Sequence, residues 1–181
     1  MRYFILLLAT FIFIGCSSKS SSYILPTSSY SSSFTTTNIQ IGVKKVEVPS
    51  YLNSDKILLK NGVKVEEIDS TFIVPPSQLL TNKTISLLKT SLNNPNVLLY
   101  PWDINNKEGY IVEIKVDKFM YDSGNAVIEG SYYIKNANNK LITSKNFRKI
   151  EATTKDVTSI VTTLSKLFDT VVIEIARKIA K

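Results

Sequence analysis

The sequence predicts an α+β fold: a mostly antiparallel sheet with two main helices packed on one face, behind a flexible N-terminal tether. Three observations carry this. From Tyr110 onward, three successive segments separated by short turn-forming stretches read as the strands of an antiparallel meander. Two other stretches, one following Pro75 and one from about Asp156 to Ala180, gather their apolar residues on one side of a helix. Ser and Thr dominate residues 17–37, where little periodic hydrophobicity is present.

Taken in order, Tyr23-Ile24-Leu25 interrupts the Ser/Thr-rich region and reads as an edge strand ended by Pro26. Ile39, Ile41 and Val43 then alternate with polar residues and Gly42. Val46 and Val48 resume the alternation out of phase, which predicts a strand bulged at Lys44-Lys45. Pro49-Ser50 breaks that strand, and Tyr51-Leu52-Asn53-Ser54 leads into another at Ile57 to Lys60. Asn61-Gly62 is expected to form the two-residue hairpin turn, since both tolerate positive φ, with Val63 and Val65 returning antiparallel.

Pro75-Pro76-Ser77 opens a helix whose Leu80, Ile85, Leu87, Leu88 and Leu92 share one side, and Asn93-Asn94-Pro95 closes it. Val97 to Tyr100 is a short strand. Tyr110, Val112, Ile114 and Val116 alternate with Ile111, Glu113, Lys115 and Asp117 in a half-buried strand. Asp122-Ser123-Gly124-Asn125 turns into a strand over Ala126 to Lys135, and Asn136 to Asn139 turns again into Leu141 to Ile150. The closing helix aligns Val157, Ile160, Val161, Leu164, Leu167, Phe168, Val171, Ile175 and Ile179 on one face, fit to cover the sheet.

The first residues carry a different signal. Arg2 is followed by a largely apolar run from Tyr3 to Ile14, broken only by Thr10, a secretory pattern. As a helix such a run rises only about 18 Å, short of a hydrocarbon core of about 30 Å, so a permanent span is disfavoured. Cys16 is the only cysteine, placed where the apolar run meets the Ser-rich stretch, and no intramolecular disulfide can form. Phe13-Ile14-Gly15-Cys16 resembles the lipobox of bacterial lipoproteins, with Gly15 as the small residue before an acylated cysteine. The expected organisation is a signal peptide at 1–15 cleaved between Gly15 and Cys16, a lipidated tether at 16–21, and one domain at 22–181 that includes a Ser/Thr-rich loop at 26–37. Several acyl chains, each methylene contributing about 0.8 kcal/mol, would make the anchor effectively permanent. Ser17 after the cysteine resembles the sorting pattern for an outer-membrane destination.

Composition narrows the chemistry. The absence of histidine removes Ser-His-Asp and Cys-His mechanisms and most zinc sites, and Cys16 is committed to the anchor. The acids cluster locally only at Glu66-Glu67 with Asp69 and at Glu113 with Asp117. Neighbours in a strand face opposite sides, so Glu66 and Glu67 should not converge. No phosphate loop, calcium loop or dinucleotide fingerprint is present, and the expectation is no catalysis, no cofactor and no metal. Without the leader the chain holds 21 Lys plus Arg against 15 acids, scattered rather than clustered. This reads as a solvated surface, with no nucleic-acid role. Tyr51 and Trp102, aromatics in turn-like segments, are the candidate partner contacts, and for each a purely packing role is the competing account.

Ile41-Gly42-Val43-Lys44-Lys45-Val46-Glu47-Val48-Pro49-Ser50-Tyr51-Leu52, followed by Lys56-Ile57-Leu58-Leu59-Lys60, resembles the opening of the ABC-type transport auxiliary lipoprotein family, whose best-known branch is paraquat-inducible protein C. Its pattern runs from a hydrophobic strand to Pro-x-Tyr-Leu, then a strand and hairpin, then a helix. Tyr23-Ile24-Leu25 is similar to the family's short aromatic strand after the lipidated cysteine. The Trp-containing segment usual before the first helix is replaced here by Ser70-Thr71-Phe72-Ile73-Val74-Pro75-Pro76. The resemblance implies a non-enzymatic outer-membrane partner of an MCE-domain protein and its ABC transporter complex, moving phospholipid between membranes, with a homo-oligomer left open. The alternative is an anchored envelope-assembly module resembling the lipopolysaccharide-assembly lipoprotein.

Overall fold

The computed structural model describes residues 21–27, 34, 39–101 and 109–180. Among these residues eight strands, β1 Ser21–Tyr23, β2 Gln40–Val43, β3 Lys56–Asn61, β4 Lys64–Phe72, β5 Val97–Leu99, β6 Gly109–Asp122, β7 Asn125–Asn136 and β8 Leu141–Ala152, form one mixed sheet. Among the described residues two helices, α1 Pro76–Leu92 and α2 Val157–Ile179, complete the α+β fold. None of the described helices is long and apolar enough to cross a membrane.

The sheet is organised around β6. Along one edge it pairs antiparallel with β7 from Tyr110↔Asn136 to Asp122↔Asn125, and β7 pairs antiparallel with β8. Ser123 (φ 49°) and Gly124 (φ 92°) form the intervening turn, both at positive φ as a two-residue type I′ connection requires. Asn136 closes the next turn by accepting from the backbone N–H of Asn138 (3.0 Å) and Lys140 (2.9 Å) with its side-chain oxygen. The β6–β7 ladder slips once: Val116 faces Gly130 and Lys118 faces Glu129, so Asp117 is the extra residue of a bulge.

Along its other edge β6 is shared. β2 runs parallel to its beginning (Ile41↔Tyr110, Val43↔Val112), and β3 runs parallel to its end (Leu59↔Tyr121, Lys60↔Asp122). Glu47 makes a single parallel bridge to Lys115 between them. The sheet therefore forks. One branch adds β5 to β2, and the other adds β4 antiparallel to β3 and β1 parallel to β4.

Two local expectations are corrected. The first strand is Ser21–Tyr23 rather than Tyr23-Ile24-Leu25, because its partner β4 ends at Phe72, opposite Tyr23, and leaves Ile24 and Leu25 nothing to pair with in the ladder. In the first hairpin Asn61 pairs with Lys64, so the turn residues are Gly62 and Val63 instead of Asn61 and Gly62. Gly62 alone takes positive φ (61°), as the first central residue of a II′ turn does, and Val63 is fully exposed at the tip.

Both helices cover one face of the sheet. Pro76 occupies the first helical position of α1, where its missing N–H costs nothing, and Asn93 ends the helix in the left-handed region (φ 46°). Asp156 caps α2 by accepting from the Ser159 N–H at 2.9 Å, while Arg177 and Lys178 lie at the favourable C-terminal end of the dipole. The α2 stripe buries Ile160, Leu164, Phe168, Val171 and Ile175 completely or nearly so, each stabilising by about 1.5–3 kcal/mol. Tyr132 of β7 also lies beneath α2 and donates to Glu174 Oε1 at 3.0 Å, and burial followed by that carboxylate pushes its hydroxyl up to about 12.

The helices are tied to each other and to the N-terminal segment. Lys83 of α1 and Asp169 of α2 form an ion pair at 2.9 Å with side-chain exposures of 9% and 0%. Lys83 Nζ also donates to the Pro26 carbonyl at 2.5 Å, and Ser165 Oγ donates to the same oxygen at 3.1 Å. The segment following β1 is thus gripped by both helices.

Candidate functional site

The face of the sheet opposite the helices carries no α-helix among the described residues, and Tyr51 sits on it. Pro49, held extended (φ −66°, ψ 160°), leads into a 3₁₀ turn at Ser50–Leu52 that fills the gap where β2 has ended and β3 has not begun. The turn divides its two large residues. Leu52 enters the core at 2% exposure, whereas Tyr51 lies across the bare face at 44%. The Tyr51 hydroxyl donates to the carbonyl oxygen of Asp117, the bulge residue of β6. Pro-x-Tyr-Leu therefore inserts an anchor and a hydrogen-bond donor at the fork of the sheet. Burial, then the charges of Asp117 and Glu129, raise the Tyr51 hydroxyl above its ordinary pKa.

Beside Tyr51 runs an open groove of about 500 Å³. Tyr51, Val65 and Met120 supply apolar lining, and Lys60 and Lys118 close one part of it. The two lysines converge on a single carboxylate oxygen, Asp122 Oδ2, at 3.1 Å from Lys60 Nζ and 2.6 Å from Lys118 Nζ. The Ser123 hydroxyl donates to the other oxygen, Asp122 Oδ1, at 3.1 Å. The Lys118 hydrogen bond first, with those of Lys60 and Ser123 and against the opposing effect of burial, brings the Asp122 carboxyl down to about 2. Glu129, also lining the groove, is held by Arg148 at 2.8 Å, and Asp117 lies 3.9 Å from Lys115.

Elsewhere on the face Glu113 is an ion-pair hub. It receives Lys44 at 2.6 Å and Lys135 at 2.8 Å, and although burial opposes ionisation, those two hydrogen bonds leave its pKa lowered. Lys44 Nζ in turn stands 5.6 Å from the centre of the Tyr100 ring.

The remaining sequence candidates fall in different places. Gly15, Cys16 and Trp102 lie outside the described residues. Glu66 and Glu67 face Leu59 and Leu58 respectively, on opposite sides of β4, and Glu66 is paired with Lys64 at 2.5 Å. Glu113 and Asp117 share a strand but are engaged by different lysines. Among the described residues no group of three or more potential ligands could hold a metal ion. The Lys60–Lys118–Asp122 cluster escaped sequence reasoning, because its members come from two strands far apart in the chain. The available signal was the break from Val116 to Phe119 in the alternation of β6, which marks the bulge beside the cluster.

A model of the ABC-type transport auxiliary lipoprotein component family matches residues 23–176. The chain belongs to this family. The match spans both branches of the sheet and nearly all of α2. It makes the chain a member of a family of transport auxiliary lipoproteins, which is not a known enzyme family. No curated protein matches the sequence. The fold is shared with a crystal structure of an uncharacterized protein at 22% identity, TM-score 0.73, covering 90% of this chain and 99% of that one. It is also shared with protein XCC0632 from Xanthomonas campestris, of the DUF330 family, at 14% identity, TM-score 0.71, covering 89% of this chain and 92% of that one.

Proposed function

We propose that this chain is a non-enzymatic, lipid-anchored component of an MCE/ABC-type phospholipid transport system, held in the outer membrane through Cys16 and docking the periplasmic end of the conduit. Membership of the auxiliary lipoprotein family carries the reading. In this organisation residues 1–15 are removed as a signal peptide, 16–21 tether the acylated cysteine, and 22–181 act as one domain. The first described strand starts at Ser21, and the five residues from Cys16 to it reach at most about 18 Å, so the domain works close to the bilayer surface. The helix-free face, with Tyr51 and its groove, is the surface offered to the partner, since the other face is already occupied by α1 and α2.

The test is affinity capture of the full chain from detergent-solubilised envelopes, beside fractionation of a Cys16→Ser variant. Recovery of an MCE-domain protein with its ABC partners, together with loss of the variant from the outer-membrane fraction, is the expected result. Unaltered processing and sedimentation of Cys16→Ser would overturn the anchor, and capture that never contains an MCE protein would overturn the transport role.

A further inference from the structure

We propose that the groove beside Tyr51 is a binding site for an anionic amphiphile, with one alkyl chain lying over Met120 and Val65 and its head on Lys60 and Lys118. This goes beyond docking and does not depend on the identity of the protein partner.

The charge arrangement is the first reason. Lys60 and Lys118 share one oxygen of one carboxylate, so two ammonium groups face a single compensating charge. Their side chains are 33% and 19% exposed, so neither is fully hydrated, yet both remain reachable. Glu129 is occupied by Arg148 on the neighbouring strand, and Asp117 has Lys115 nearby. One positive charge is left at the lysine pair. An incoming anion would accept hydrogen bonds from ammonium groups that are already positioned.

The second reason is the adjoining surface. Val65 is 51% exposed and Tyr51 44%, both next to the nearly buried Met120, so the groove offers water an apolar strip that ends at the lysines. Its volume of about 500 Å³ lies within the range of small-molecule sites, roughly 300–1,000 Å³. Apolar lining with a charge at one end matches an amphiphile better than a bare ion, which would gain nothing from Val65 and Met120. Rigidity adds to the fit, since the Tyr51–Asp117 hydrogen bond fixes one wall to the backbone of β6.

The test uses the full chain in nanodiscs and dodecyl phosphate bearing a terminal photoreactive diazirine, with a chain-matched maltoside probe as the neutral control. The phosphate probe is expected to label peptides containing Val65 or Met120 about ten-fold more than the neutral probe, the worth of one charge-assisted hydrogen bond. Replacing both lysines (Lys60→Met with Lys118→Met) should lower phosphate-probe labelling to the neutral level and leave neutral-probe labelling unchanged. Val65→Glu, at an exposed strand position, should abolish labelling by both probes while the unfolding midpoint stays near wild type. Equal labelling by the two heads, labelling concentrated elsewhere, or insensitivity to the lysine pair would overturn the proposal. Complete competition by inorganic phosphate at concentrations equal to the probe would do so as well, since it would reveal a simple anion site.

Discussion

The two edges of β6 are held by different means, although they belong to the same fourteen-residue strand. On the β7 edge a continuous antiparallel ladder does the holding, interrupted once at Asp117, and its partners are close in sequence. On the other edge the parallel pairings join Ile41 to Tyr110 and Leu59 to Tyr121, and the ladder is broken into short pieces. Side chains make up the difference there. Thr81 of α1 accepts from the Val46 N–H at 2.8 Å, Asn94 donates to the Ile39 carbonyl at 2.8 Å, and Tyr51 takes the Asp117 carbonyl. Where pairing is local, backbone register is enough; where it is distant, individual side chains pin the chain.

That contrast is most easily broken on the antiparallel edge by Gly130→Val. A Cβ at Gly130 would overlap the Lys115 carbonyl oxygen and come within 2.8 Å of Phe147 Cζ, just where the bulge tightens the ladder. The expected loss is about 4 kcal/mol or more, read as a fall in the urea midpoint or failure to fold. On the helix layer, Lys83→Met removes the ammonium paired with the fully buried Asp169 carboxylate and should cost about 3–5 kcal/mol. Adding Asp169→Leu should recover most of that loss, and a double variant no better than the single would refute this account of the pair.

The pins of the forked edge should give smaller, local effects. Thr81→Val leaves the Val46 N–H buried without its acceptor and is expected to cost about 1–3 kcal/mol, with faster hydrogen exchange at Val46. Tyr51→Phe removes one hydrogen bond from a half-exposed side chain, for about 1 kcal/mol or less. Exchange should accelerate beside the bulge and stay unchanged in the β7–β8 hairpin. Equal acceleration on both edges would erase the distinction drawn here.

Acid supplies the mildest test. Asp122 titrates near 2 in the fold against an ordinary 3.8, so its contribution is present above about pH 4 and fades as pH falls toward 2. Because its lysine partners are partly hydrated, the amount is under about 1 kcal/mol. The stability difference between wild type and Asp122→Asn, followed by urea titration from pH 5 to 2, should shrink over that window.

The same division governs what could be read from the residues. The meander and both helices were legible, because an apolar period or a turn signal lies within a few positions of what it specifies. The auxiliary lipoprotein family was legible from the run through Pro49-Ser50-Tyr51-Leu52. The fork was not, since nothing near Ile41 or Leu59 names a partner some sixty to seventy residues away. The Gly62-Val63 turn was missed by one residue, because Asn61-Gly62 is the stronger local turn signal and only the pairing of Asn61 with Lys64 overrules it. Tyr51 was legible as a candidate, but its carbonyl partner and the lysines beside the groove depend on the fork and stayed hidden with it.

The grip on Pro26 has a mechanical consequence. A pull arriving from the N-terminal side first meets the three paired residues of β1 and then a carbonyl held by Lys83 and Ser165, one from each helix. Tension is thereby divided between the sheet edge and the helical layer before it can work on the interior. Such a pull would swing the whole body instead of unravelling its first strand.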